Sequence, residues 1–136
     1  MSPRKEIVSH HLTLFLSKET FAICKLDKNS PIPDWAPAGN FYSMTRTPDE
    51  LSIVCPQINV PEGITSDAGW RCLKVEGPLD LSLTGIFASL ATPLARAGIS
   101  IFEVSTYDTD YLMVKEKDLE RTVLVLSQAG HEVHWK

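Results

Sequence analysis

The sequence predicts an α+β fold, with an antiparallel sheet that carries its helices on one face. Three observations predict it. Residues 70–135 read in the order β-α-β-β-α-β. The two helical stretches in that order are amphipathic with the 3.6-residue period of a surface helix. A short segment of the first half echoes one in the second. The β-α-β-β-α-β order is that of the split βαβ, ferredoxin-like unit, in which two helices cover one face of an antiparallel sheet.

The first half is rich in strand formers and turn residues. His11–Leu16 and Thr20–Leu26 are β-prone runs separated by a short polar break, which predicts a hairpin. Pro31, Pro33 and Pro37 around Trp35 forbid a long helix or a central strand between Lys28 and Gly39. Phe41–Thr45 and Leu51–Cys55 are short strands on either side of the Pro48-Asp49 turn. Pro56–Gly69, with Pro61 and Gly63 inside it, reads as a loop and as the boundary between two units, 1–62 and 63–136.

The second half is more regular. Trp70–Val75 is a strand. The helix after Thr84 places Ile86, Phe87, Leu90, Ala91 and Leu94 on one face, with Pro93 bending it and Gly98 stopping it. Ile99–Val104 and Tyr111–Lys115 are strands. Asp118–Gln128 is a second amphipathic helix, with Leu119, Val123 and Leu126 inward and Gly130 at its end, and His131–Trp135 is an edge strand. The echo pairs Asp49 with Asp110 and Leu51 with Leu112 when Pro48 is taken as an insertion, which suggests a duplicated unit.

Composition narrows the class of partner. With 136 residues, 43% hydrophobic and 22% charged, the chain belongs with globular proteins large enough to need no disulfide or metal staple. A net charge of −4 without a Lys/Arg cluster argues against nucleic acid. No apolar run approaches the roughly 20 residues that span a bilayer. The opening Met1–Glu6 lacks the apolar middle of a signal peptide, so a cytoplasmic location is expected and no membrane partner is. Cys24, Cys55 and Cys72 are widely spaced in apolar settings and read as buried structural thiols. Neither a cofactor nor a metal is expected. His131 and His134 would point to opposite faces of a strand, and His10-His11 fails in the same way. Arg4 and Lys5 read as solvated, and Arg46 as a partner for Asp49.

The residues with chemistry to offer cluster at two places. At Leu83-Thr84-Gly85-Ile86 a helix opens on a glycine. Its first N–H groups and positive dipole end would be free to hold a carboxylate, although a glycine there also suits a tight turn or close packing. At Ser105-Thr106-Tyr107-Asp108-Thr109-Asp110 two aspartates sit on a strand-to-strand turn. Asp110 begins a strand and is the better candidate to hold an ammonium or guanidinium group. Asp108 fits better a solvated turn that uses its local hydrogen bonding. Charge-assisted hydrogen bonds of about 1.5–3 kcal/mol each could reach the roughly −8 kcal/mol of micromolar binding. The same aspartates have no nucleophile–base constellation around them, so a paired-carboxylate hydrolase is disfavoured and no catalytic residue is assigned.

These segments resemble the ACT-domain family. Leu83-Thr84-Gly85-Ile86 through Gly98-Ile99-Ser100-Ile101 is similar to its pattern of a glycine opening the first helix and Gly-Ile-x-Ile entering the second strand. Glu76-Gly77-Pro78-Leu79, Ser105–Asp110 and Thr45–Ser52 look like small tandem-ACT proteins related to aspartate kinase regulatory domains and cytosolic arginine sensors. The resemblance implies ferredoxin-like ACT units in tandem, with a ligand at an ACT–ACT interface between the glycine turn of one unit and strand residues of its neighbour. The implied ligand-binding residues are Leu83, Thr84, Gly85, Ile86, Ser105, Thr106, Tyr107 and Asp110, with Asp110 on the cationic group. Thr84 stands where the family usually has proline, and the first half lacks the long helix, which makes it a divergent unit. The expectation is a non-catalytic regulatory sensor of an amino acid or similar small zwitterion, acting as a homodimer or through an effector protein. The rival is a structural interaction or oligomerisation module without ligand.

Overall fold

The computed structural model describes residues 10–80 and 82–135. Arg4, Lys5 and Leu81 lie outside them. In chain order the elements are β1 (Thr13–Leu26), β2 (Ser43–Arg46), β3 (Leu51–Pro56), a 3-10 turn (Gln57–Asn59) and β4 (Thr65–Val75). They continue with α1 (Ile86–Arg96), β5 (Ile101–Ser105), β6 (Asp110–Lys115), a second 3-10 turn (Glu116–Asp118), α2 (Leu119–Gln128) and β7 (Glu132–Trp135). Two compact units result. One comprises the described residues up to Ser17 together with those from Leu73 onward; the other is Lys18–Cys72. Both β1 and β4 run through the two units.

The Lys18–Cys72 unit has its strands in the order β2-β3-β1-β4. β1 and β3 are antiparallel from Phe21↔Pro56 to Leu26↔Leu51, and β2 pairs antiparallel with β3 from Ser43↔Val54 to Arg46↔Leu51. The period-2 pattern sends Leu51, Ile53 and Cys55 to one side, where they pack with Ala22, Cys24 and Ala36. Phe21 and Phe41 meet edge to face at 5.7 Å. All three cysteines are buried and free, and burial above all pushes the Cys55 and Cys72 thiols up to about 12.

Three expectations are corrected in this unit. The hairpin between His11–Leu16 and Thr20–Leu26 is a single 14-residue strand. Ser17, Lys18 and Glu19 include no Gly, Asn or Pro to set a turn, so the chain stays extended. Pro56–Gly69 is loop only in part, because β4 already begins at Thr65. Arg46 donates instead to the carbonyls of Lys28 (2.5 Å) and Ser30 (2.6 Å), which ties down the proline-rich loop.

The other unit has antiparallel and parallel strand pairs, and both helices contribute to one core. Its strand order is β7-β1-β4-β6-β5. β5 and β6 are antiparallel from Ile101↔Val114 to Ser105↔Asp110, and β7 runs parallel to β1 from Thr13↔Glu132 to Leu16↔Trp135. The opening part of β1 is therefore a fifth strand between β7 and β4. Ile86, Leu90 and Leu94 of α1, with Leu119 and Leu126 of α2, pack on Leu73, Val75, Leu112 and Val114. Leu90, Leu94, Leu112 and Leu126 are fully buried, each such side chain contributing about 1.5–3 kcal/mol. Phe87, expected inward, is 45% exposed; it lies about 100° around the helix from Ile86 and leaves the core.

Pro93 lies inside α1 and has no N–H to give the carbonyl of Ser89. His131 replaces that donor. Its Nε2 lies 2.9 Å from Ser89 O, while its Nδ1 accepts the Leu12 N–H at 3.0 Å. The pattern assigns a neutral imidazole protonated on Nε2, buried to 4% exposure. Among the described residues no helix is long and apolar enough to cross a membrane.

Candidate functional site

The turn before α1 is built from local polar chemistry. A Cβ on Gly77 would lie 2.9 Å from the carbonyl oxygen of Asp108, so only glycine allows this approach. Leu79 N then donates to the same Asp108 oxygen at 2.6 Å. Asp80 Oδ1 accepts from both the backbone N–H and the hydroxyl of Ser82 at 2.8 Å, which holds its carboxyl below the usual range. Gly85 caps α1 with φ +81°, a conformation that favours glycine. No side chain caps the helix, and its first turn contains no acidic residue. The exposed positive end of the dipole belongs to the backbone itself.

The β5–β6 turn stands opposite. Thr106 N donates to Thr109 O at 2.8 Å, and Thr106 Oγ1 lies 3.3 Å from Thr109 N and 3.0 Å from Thr109 O. Thr109, buried, donates its hydroxyl to Val75 O at 2.6 Å, fastening the turn to the end of β4. The closing pair is Ser105↔Asp110. Ser105 Oγ lies 2.8 Å from Asp110 Oδ1 and 3.1 Å from Glu103 Oε1.

Between turn and helix lies a cleft of about 290 Å³. Leu79, Asp80, Leu83, Gly85, Ile86 and Phe87 form one wall; Ser105 to Asp110 form the other. Its walls bring three aspartates and two exposed rings, Phe87 and Tyr107 (81% exposed), and among the described residues no basic side chain. Glu103 sits two residues behind Ser105 on the same face of β5. Burial, and next the contact with the Asp110 carboxylate, push its carboxyl up to about 8. Such a cleft can take a small ligand with both charges, the cation on the aspartates and the anion on the helix end. Among the described residues no group of three or more His, Cys, Asp or Glu is arranged to hold a metal.

Of the expected site residues, Leu83, Gly85, Ile86, Ser105, Thr106, Tyr107 and Asp110 all line this one cleft. Thr84 does not; its carbonyl is occupied by His10 Nε2 at 2.8 Å. Asp108, for which a solvated turn was the competing account, joins the wall and gives its carbonyl to Leu79. Sequence reasoning missed Leu79, Phe87, Thr109 and Glu103. The spacing Thr106-x-x-Thr109 was a readable turn signal, and the i+2 alternation along β5 would have put Glu103 on the face of Ser105.

The ACT-domain sequence profile matches residues 65–128, which contain both walls of the cleft. A second profile, described as an N-terminal domain, matches residues 19–63. The chain is 29% identical over 99 residues to the cytosolic arginine sensor for mTORC1 subunit 1 of Bos taurus. That alignment takes in 65% of this chain but spans only 30% of the length of the sensor. Among solved structures, a protein from Agrobacterium tumefaciens is 41% identical with a TM-score of 0.90, covering 94% of this chain and 96% of that one. The aspartate kinase of Clostridium acetobutylicum shares the fold, with a TM-score of 0.65 at 16% identity over 93% of this chain and 36% of the kinase. Residues 65–128 of the chain belong to the ACT-domain family.

Proposed function

We propose that the protein is a non-catalytic regulatory module that binds a small amino acid in the cleft between the α1 N-terminus and the β5–β6 turn. One observation carries the reading: an uncapped helix start opened by Gly85 shares a cleft with Asp110 and the hydroxyl side chains of Ser105 and Thr106. The helix end takes the ligand carboxylate, and Asp110, with Ser105 and Thr106 beside it, takes the ammonium or guanidinium group. The kinship with an arginine sensor favours a cationic amino acid.

The chain is read as two ACT-like units in tandem, a divergent one over 1–62 and a ferredoxin-like one over 63–136. The two profiles, one ending at residue 63 and the other starting at residue 65, support this reading. The site is completed at an ACT–ACT interface by a second copy of the chain, acting in the cytoplasm and reporting occupancy to an effector protein or through assembly.

Thermal melts against a panel of the twenty amino acids test the proposal. A ligand at a hundred times its dissociation constant adds about 2.7 kcal/mol, and a basic amino acid should give the largest shift. A flat panel sinks it and favours a module that works by protein contact alone.

A further inference from the structure

We propose that Glu103 and Asp110 share one proton through Ser105 at neutral pH, and that a cationic group entering the cleft binds in exchange for it. The first half stands on the geometry of the unliganded protein. The second rests on the amino-acid reading above.

A serine hydroxyl has one hydrogen, yet Ser105 Oγ stands within hydrogen-bonding range of two carboxyl oxygens, Asp110 Oδ1 at 2.8 Å and Glu103 Oε1 at 3.1 Å. With both carboxyls ionised, one of these contacts would set an oxygen lone pair against a carboxylate. A proton on one acid removes the conflict. Glu103 Oε1–H donates to Ser105 Oγ, and Ser105 Oγ–H donates along the shorter contact to Asp110, which remains the anion. Burial selects the same assignment: Glu103 Oε2 is buried and finds no hydrogen-bond partner among the described residues, so an ionised Glu103 would leave a charge without compensation. The upward displacement of the Glu103 carboxyl agrees.

The charged groups around the pair point the same way. Besides Asp110 itself, β6 contributes Lys115 at its far end. Asp80 and Asp108 lie on the cleft walls. The first turn of α1 has no acidic residue, and its basic residue, Arg96, is in the last turn. None of the described residues that line the cleft is basic, and an arriving ammonium or guanidinium supplies the counter-charge. It pairs with Asp110, Glu103 ionises beside it, and the released proton passes to solvent. Net charge in the cleft is conserved, and affinity rises with pH until Glu103 is ionised in the free protein.

Carboxyl-carbon NMR on the unliganded protein tests the shared proton. One midpoint near pH 8 is expected, absent in Glu103→Gln and at least one pH unit lower in Asp110→Asn. Both midpoints below pH 6 in the wild type would overturn the proposal. Amide spectra of both near-isosteric variants check that they remain folded. Calorimetry with L-arginine at pH 7 in phosphate and in Tris then tests the exchange. Release of close to one proton per ligand is expected, with affinity rising up to about tenfold per pH unit between pH 6 and 8, both lost in Glu103→Gln. Binding with no dependence on the buffer overturns the exchange and leaves the amino-acid reading standing. No binding overturns that reading and the exchange with it, and the unliganded titration still decides the shared proton.

Discussion

The β2–β3 and β5–β6 hairpins close with the same four-residue turn, one in each compact unit, yet only one borders a helix end. In the first, Thr47 N donates to Glu50 O at 2.9 Å, and Thr47 Oγ1 accepts from the N–H groups of Asp49 and Glu50. In the second, Thr106 and Thr109 repeat the exchange, again with aspartate at the third position. The closing pairs differ: Arg46↔Leu51 in one, Ser105↔Asp110 in the other. What comes before each hairpin differs as well. The first follows a proline-rich loop whose carbonyls take the Arg46 guanidinium, and its turn borders an open hollow with Lys25 and Lys28. The second follows α1, opened by Gly85, and its cleft holds aspartates and, among the described residues, no basic side chain. A turn motif supplies only a rigid support. What it can bind is decided by the closing pair and by the element across from it.

The most damaging way to break this contrast is to remove the bridge that holds α1. His131→Ala leaves Leu12 N–H and Ser89 O without their partner, and urea unfolding should show a loss of about 2–5 kcal/mol. A loss under ~1 kcal/mol would mean that water replaces the imidazole. Next comes the ligand response. Asp110→Ala should abolish the ~2.7 kcal/mol of stabilisation from a hundredfold excess of ligand while the unliganded melt hardly moves. Asp49→Ala in the other turn should leave that response intact; equal loss in both would erase the distinction.

A smaller effect should appear as a slope with pH. Glu103 has its folded-state pKa, about 8, above the ordinary value of 4.5. The folded protein therefore binds more protons than the unfolded chain between these values. Its contribution to stability is complete below about pH 4.5 and lost as pH rises through 8. Chemical denaturation from pH 5 to 9 should show this decline in the wild type and a flatter profile in Glu103→Gln. Smallest of all, Thr47→Val and Thr106→Val should each cost about 0.5–1.5 kcal/mol, because each removes a hydroxyl that accepts from the turn's own N–H groups. Only Thr106→Val should also weaken the ligand response, and a disparity in stability above ~1 kcal/mol would show that the turns are not equivalent.

The repeat itself shows where sequence reading stopped. Letter identity pairs Asp49 with Asp110 and Leu51 with Leu112, with Pro48 as an insertion. The hydrogen bonds match Thr47 to Thr106 without any insertion, and so Leu51 to Asp110. Identity over a few letters rewards Asp and Leu wherever they fall. Turn geometry depends on which hydroxyl meets which amide.

Local and periodic chemistry was determined by the chain alone: the two amphipathic helices, the glycine at the start of α1, the strands around Ser105–Asp110, and so most of one cleft wall and the tip of the other. Those features depend on neighbours within a turn or two, where covalent spacing sets the geometry. The tertiary structure alone decided that β1 is one strand inserted between β7 and β4, that His131 serves the carbonyl orphaned by Pro93, and that Glu103 comes to rest against Asp110 through Ser105. Each depends on strand register or on partners far apart in the chain. Burial makes such contacts energetically decisive, and sequence spacing leaves them unspecified.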